Sequence, residues 1–231
     1  MNTIEQEKMS LKGSFLCKNS LHNLYIVIQL IHKEYKGGKN LLPIKVHYKE
    51  ESGKQKIINA IKREFKQHGH REVVIVCVGT DRSTGDALGP LTGSTLVKKV
   101  NKNVTVYGTI DSAVHGQNLH EIDETVKRKH PNAFVIAIDA CLGHSTSVES
   151  ITFAKEPLRP GAGVGRDDLP RIGHCHIAGI VNVGGFMEYF VLQNTRLSIV
   201  MNMSDAIADI IIKSFKNQKL VPSYMELVRE A

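Results

Sequence analysis

Asp86 and Asp139 are the two residues of this chain whose type and setting could do hydrolytic chemistry together. Each follows an apolar run of strand character. VVIVC (Val73–Cys77) leads through Val78 and Gly79 into the polar loop TDRSTG and then Asp86, while AFVIAI (Ala133–Ile138) ends directly on Asp139. A continuous apolar run bounded by turn residues predicts a strand buried on both faces, as in a parallel sheet. The carboxyl ends of parallel strands point the same way, so both aspartates are expected on one rim, where open α/β sheets place ligands. Two carboxylates held close cannot both ionise easily. One keeps its proton as an acid while the other acts as a base toward water, a workable device for hydrolysing an amide. The plainer alternative is that Asp86, just ahead of a helix, caps its first free N–H groups.

Around the pair, Thr80, Asp81, Ser83 and Gly85 are expected to shape the rim, and His115 and His144 lie in neighbouring rim loops. The stretch PGAGVG (Pro160–Gly165) invites a phosphate-cradle reading, yet it does not match GxxxxGK[ST] and opens no βαβ unit. Gly161, Gly163 and Gly165 more simply mark a loop that needs positive φ or a close backbone approach. Such a loop can offer N–H groups to a substrate carbonyl or a developing oxyanion. In His174-Cys175-His176 the two histidines share one face of a strand and Cys175 points the other way, so structural roles fit better than a metal site. Cys141, two residues after Asp139, could pair with His144 as a nucleophile, but nothing else marks it as activated.

The elements that position these residues follow from pattern. A weakly alternating Ile44–Tyr48 predicts an edge strand, and Ser52 is expected to cap a helix to Gln67 with Ile57, Ile58, Ile61 and Phe65 facing inward. Then come the Val73 strand, a helix over Ala87–Lys99, a strand over Val104–Ile110, a helix from Leu119 to Lys129 and the Ala133–Ile138 strand. Pro90 falls in the first turn of its helix, where the missing N–H has no partner to lose. Three strands alternating with two helices make two right-handed βαβ units. Strands over Ser147–Ala154 and His174–Val183, a helical segment after Gly184-Gly185, and a last helix capped by Asn194 or Thr195 and running to Lys216 complete the reading. Upstream, Leu21–Tyr35 has the apolar spacing of a short amphipathic helix.

Composition bounds the function. The net charge of +7 is carried by residues 1–70, which hold 13 basic and 6 acidic residues, whereas the remainder balances at 17 of each. A basic extension over residues 1–45 is therefore expected ahead of one α/β domain over 46–231. No basic stripe with interleaved aromatics argues for nucleic acid. The four cysteines form no zinc spacing or CxxC pair. The apolar run Leu24–Ile31 is too short to span a bilayer, so a cytoplasmic protein without a membrane partner is expected. Homo-oligomerisation is compatible with the sequence.

The blocks GTDRSTGDALGP (79–90), FVIAIDA (134–140) and RPGAGVG (159–165) resemble, in order and spacing, those of the spore germination protease family. GTDRSTGD, VYGTID and VLQNTRL are most similar to its smaller YyaC-type sporulation proteins. The resemblance covers residues 73–216. It implies a three-layer phosphorylase/hydrolase-like α/β fold, a mostly parallel sheet with helices on both faces, shared with hydrogenase maturation proteases. It further implies an endopeptidase of spore-forming cells with Asp86 and Asp139 as the catalytic pair, no cofactor, and small acid-soluble spore proteins as substrates. The maturation proteases instead engage nickel through acidic residues and a histidine. A metal-dependent relative using Asp86, Asp139 and His115 or His144 is thus the alternative, and a non-catalytic binding protein a third reading.

Overall fold

A computed structural model describes residues 42–67, 72–100, 104–161, 168–216 and 220. The helix expected at Leu21–Tyr35 and the rest of the basic leader up to residue 41 lie outside the described residues, as do Gly163 and Gly165. The elements run β1 (Ile44–His47), α1 (Glu51–Gln67), β2 (Glu72–Cys77), a 3-10 turn (Gly85–Ala87), α2 (Leu88–Lys99), β3 (Val104–Tyr107) and α3 (Leu119–Lys129). They continue through β4 (Ala133–Gly143), a second 3-10 turn (Ser145–Ser147), β5 (Ser150–Ala154), β6 (Cys175–Val183), α4 (Glu188–Gln193) and α5 (Leu197–Phe215).

The six strands form one sheet in the order β1-β5-β6-β4-β2-β3. β6, β4, β2 and β3 are mutually parallel, and β5 and β1 add antiparallel at one edge. The apolar run of β2 divides by alternation. Val73, Ile75 and Cys77 join a core with α1, α2 and α5, whereas Val74, Val76 and Val78 join a second core with Leu119 and Val126 of the α3 region. Helices thus cover both faces, giving a three-layer α/β fold.

α1 buries the expected Ile57, Ile58, Ile61 and Phe65, and the Phe65 ring meets Phe134 and Phe215 edge-on at 5.8 and 5.4 Å between centroids. Burying each such side chain contributes about 1.5–3 kcal/mol. At the amino end of the central strands, His130 Nδ1 lies 2.5 Å from Glu72 Oε1, and its Nε2 lies 3.0 Å from the Tyr107 hydroxyl.

Several boundaries differ from the sequence expectation. Ser52 is not the cap of α1: the helix already starts at Glu51, and the Ser52 hydroxyl donates to Glu50 Oε1 at 2.9 Å. Asn194 and Thr195 do not cap α5 either. Their side chains donate back to the carbonyls of Phe190 and Val191, both at 2.8 Å, and tie α4 down. β3 ends at Tyr107, because Gly108 takes φ +91° and turns the chain away. β4 runs five residues past Ile138, because the long β6 keeps pairing with it to Gly143. Among the described residues no helix is long and apolar enough to cross a membrane.

Candidate active site

Asp139 owes its position to a mismatch in strand length. β2 stops at Cys77, opposite Ile138, and its last ladder bond runs from the Val78 N–H to the Ile138 carbonyl at 2.7 Å. Asp139 is therefore the first β4 residue beyond the β2 edge, while its other side stays paired with β6 at Ala178. It lies inside a strand, not at the end of one, yet the β2 flank beside it is vacated. That corrects the expectation of a strand terminus and keeps the rim.

Asp86 reaches the same place by a backbone device. Gly79 takes φ +139°, a conformation that favours glycine, and a Cβ there would lie 2.1 Å from the Asp86 carbonyl oxygen. The Thr80 N–H donates to that oxygen at 3.2 Å, closing the loop TDRSTG on itself. Helix α2 then lies against the end of β2 so closely that a Cβ on Gly89 would meet the Val78 oxygen at 2.0 Å. On its outer side, Gly85 packs against the α4 region, where a Cβ would lie 2.8 Å from the end of the Leu192 side chain and 3.0 Å from Thr195 Oγ1. Asp86 does not cap α2. Ala87 is the residue at the cap position, and no side chain bonds the free N–H groups there. The capping alternative is thereby removed.

Asp139 feels the charge of Asp86. Burial raises the Asp139 pKa well above the ordinary carboxylate value, the charge of Asp86 raises it further, and a 2.8 Å bond from the Ala140 N–H to Oδ1 offsets part of this. Asp86 is also raised by burial, but the Thr80 N–H and His115 act in the opposite direction. The asymmetry separates the roles: Asp139 is the better proton holder and Asp86 the easier anion.

His115 thus belongs to the site through Asp86. Its own N–H donates to Asn118 Oδ1 at 2.8 Å, and its Nδ1 accepts from the Gln117 N–H at 3.3 Å, which fixes the ring in its loop. Thr80 is held in its loop, where its hydroxyl accepts from the Arg82 N–H at 3.3 Å, and Asp81 is exposed beside it. The Ser83 hydroxyl is buried with no hydrogen-bond partner among the described residues, an unused donor close to the pair in sequence. His144 is exposed, and its Nδ1 serves its own turn by accepting from the Thr146 N–H.

Gly161 has φ +75°, the positive value expected of it. Its loop leaves the sheet at the amino end of the parallel strands, where Leu158 pairs with Ile172, so Gly161 starts from the end opposite Asp139. The loop also reaches the start of α3, where His120 Nε2 lies 3.2 Å from the Asp168 carbonyl oxygen. His174 accepts the Val135 N–H at 3.0 Å and His176 Nδ1 lies 2.8 Å from the Glu156 oxygen, structural roles both. Burial and Asp139 push the Cys141 thiol up to about 12, which removes it as a thiolate nucleophile.

Among the described residues no group of three His, Cys, Asp or Glu side chains stands close enough to hold a metal ion. Sequence reasoning missed the supports: the Ala140 N–H, Asn118 behind His115, and Leu192 and Thr195 behind Gly85. One signal was available, since Gly85, Gly89 and Gly93 recur every fourth residue and mark a helix face that must approach backbone.

Residues 45–210 match the family described as protein of unknown function (DUF1256). The chain belongs to this family. It is 46% identical over 164 residues to the uncharacterized protein YyaC of Bacillus subtilis (strain 168), an alignment covering 71% of this chain and 80% of that one. Among solved structures it is similar to a [NiFe] hydrogenase maturation protease, HycI, from Thermococcus kodakarensis KOD1. That match has 18% identity and a TM-score of 0.48, over 68% of this chain and 99% of the other.

Proposed function

We propose that this DUF1256 protein is an endopeptidase that works without a resident metal, through Asp86 and Asp139. The observation that carries the reading is that two half-buried carboxylates share one sheet rim, with Asp139 lying within the charge field of Asp86. In the resting pair Asp139 holds the proton and Asp86 is ionised. Asp86 takes a proton from a water as its oxygen attacks the scissile carbonyl carbon. Asp139 gives its proton to the carbonyl oxygen, as in other carboxyl pairs that share one proton. The tetrahedral adduct then collapses, the C–N bond breaks, and the proton on Asp86 passes to the leaving amine. The proton on the adduct returns to Asp139, and the site is restored. His115 favours the ionised form of Asp86.

The resemblance to germination proteases supports small acid-soluble spore proteins as the substrates and the cytoplasm of a spore-forming cell as the setting. Cleavage of such an unstructured polypeptide tests the reading. Wild type cleaves it equally with and without a chelator, whereas Asp86→Asn and Asp139→Asn each lose about a hundredfold or more of the rate. Chelator-sensitive cleavage refutes the metal-free part, and full activity in either variant refutes the pair.

A further inference from the structure

Three of the chain's 13 Phe and Tyr rings lie within five residues on the surface: Phe186, Tyr189 and Phe190. Phe186 is 80% exposed, and Met187, Leu197 and Met201 are exposed beside them in sequence. The only other exposed large apolar side chains among the described residues are Val183, in the same segment, and the scattered Leu42 and Val97. Single exposed apolar residues are ordinary, but a concentration of this kind marks a binding surface. α4, at its centre, buries none of its six residues. Met187 is held at φ +50°, a left-handed conformation that is strained for a non-glycine residue and persists only where surroundings enforce it.

The segment is nevertheless anchored, and anchored to the site. Asn182 Nδ2 donates to Thr195 Oγ1 at 3.2 Å, and Leu192 and Thr195 press on Gly85, the residue next to Asp86. It is also nearly uncharged. Between residues 179 and 203 the only charged side chains are Glu188 and Arg196.

We propose that residues 183–201 are the docking face for the substrate polypeptide, which enters as an extended segment carrying large apolar or aromatic side chains near the scissile bond. This rests on the peptidase reading and deepens it by naming what the substrate must present. Continuity decides the occupant. The face abuts the turn that carries Asp86, so a bound segment can occupy face and carboxylates at once. A second copy of this chain fixed over α4 would crowd the approach to that turn.

The test uses the full chain and fluorescein-labelled unstructured peptides in two forms, one with Phe and Leu at three positions and one with Ser in their place. Binding is read by anisotropy on wild type, Asp139→Asn and the double surface variant Phe186→Ser/Phe190→Ser, with circular dichroism to confirm folding. The apolar peptide is expected to bind wild type and Asp139→Asn alike. The Ser peptide, and the surface variant toward the apolar peptide, should be weaker by about tenfold or more. Binding retained by Asp139→Asn keeps the docking face separate from the chemistry, so loss of cleavage there does not touch this proposal. Equal binding of both peptides overturns it. So does a surface variant that binds as wild type does, including one that merely changes from dimer to monomer in sedimentation.

Discussion

Gly89→Ala tests the positioning of Asp86 without altering any group that could do chemistry. The new Cβ would lie 2.0 Å from the Val78 carbonyl oxygen and 2.8 Å from its carbon, against an ordinary contact of 3.4 Å or more. Both neighbours are backbone, so no side chain can swing away, and α2 must move from β2 by roughly 1.4 Å. Overpacking of this kind costs about 1–3 kcal/mol. In a domain of this size it lowers the melting temperature by roughly 2–12 °C. Because α2 follows directly from the turn bearing Asp86, a shift of that order is expected to reduce cleavage about a hundredfold. The control is Gly53→Ala. Its Cβ would crowd the Val46 side chain at 2.6 Å, on a helix and strand away from the rim. It should lower the melting temperature and leave the specific activity of the folded protein unchanged. Assays are thermal denaturation and initial rates on the unstructured substrate. If Gly89→Ala melts and cleaves like wild type, the account of how Asp86 is placed fails.

Further outcomes are expected. Burial and Asp86 raise the folded-state pKa of Asp139 above its unfolded value. Its contribution to stability is therefore complete below the unfolded value, near 3.9, and lost as pH rises through the folded value. Asp139→Asn should then melt above wild type at neutral pH and converge with it in acid; a variant that melts lower at neutral pH contradicts this. His130→Ala leaves Glu72 and the Tyr107 hydroxyl without their partner and should cost about 2–4 kcal/mol in urea denaturation, with an unchanged slope. In a Cys17→Ser background, iodoacetamide at neutral pH should modify Cys141 roughly a thousandfold more slowly than a free thiol, since burial and Asp139 push the thiol up to about 12.

What the sequence made legible, and what it did not, divides along physical lines. The two central strands were readable because a buried parallel strand needs an unbroken apolar run, and both VVIVC and AFVIAI have one. Their neighbour relation put Asp86 and Asp139 on one rim. The end of β4 was not readable, because Ala140 to Gly143 remain in the strand only through the partner β6, a long-range pairing with no local signature. Thr195 looked like a cap because Thr caps helices, but its hydroxyl is used by Asn182 and Val191 instead. His115 could be placed near the rim by its loop, whereas its relation to Asp86 depends on the isolated pairing of Val78 with Val114. The exposed rings of α4 escaped notice because Phe, Tyr and Val at helical spacing suggest a core face, and only the fold shows Phe186, Tyr189 and Phe190 exposed.

The central claim is that Asp86 and Asp139 titrate as one coupled pair. The most direct measurement is a carboxyl-carbon NMR titration of the aspartates in wild type and in Asp86→Asn. The account predicts that Asp139 titrates far above the ordinary value near 3.9 in wild type, and lower in Asp86→Asn, where burial alone remains. An Asp139 that titrates at the ordinary value, or one indifferent to the loss of Asp86, would contradict it.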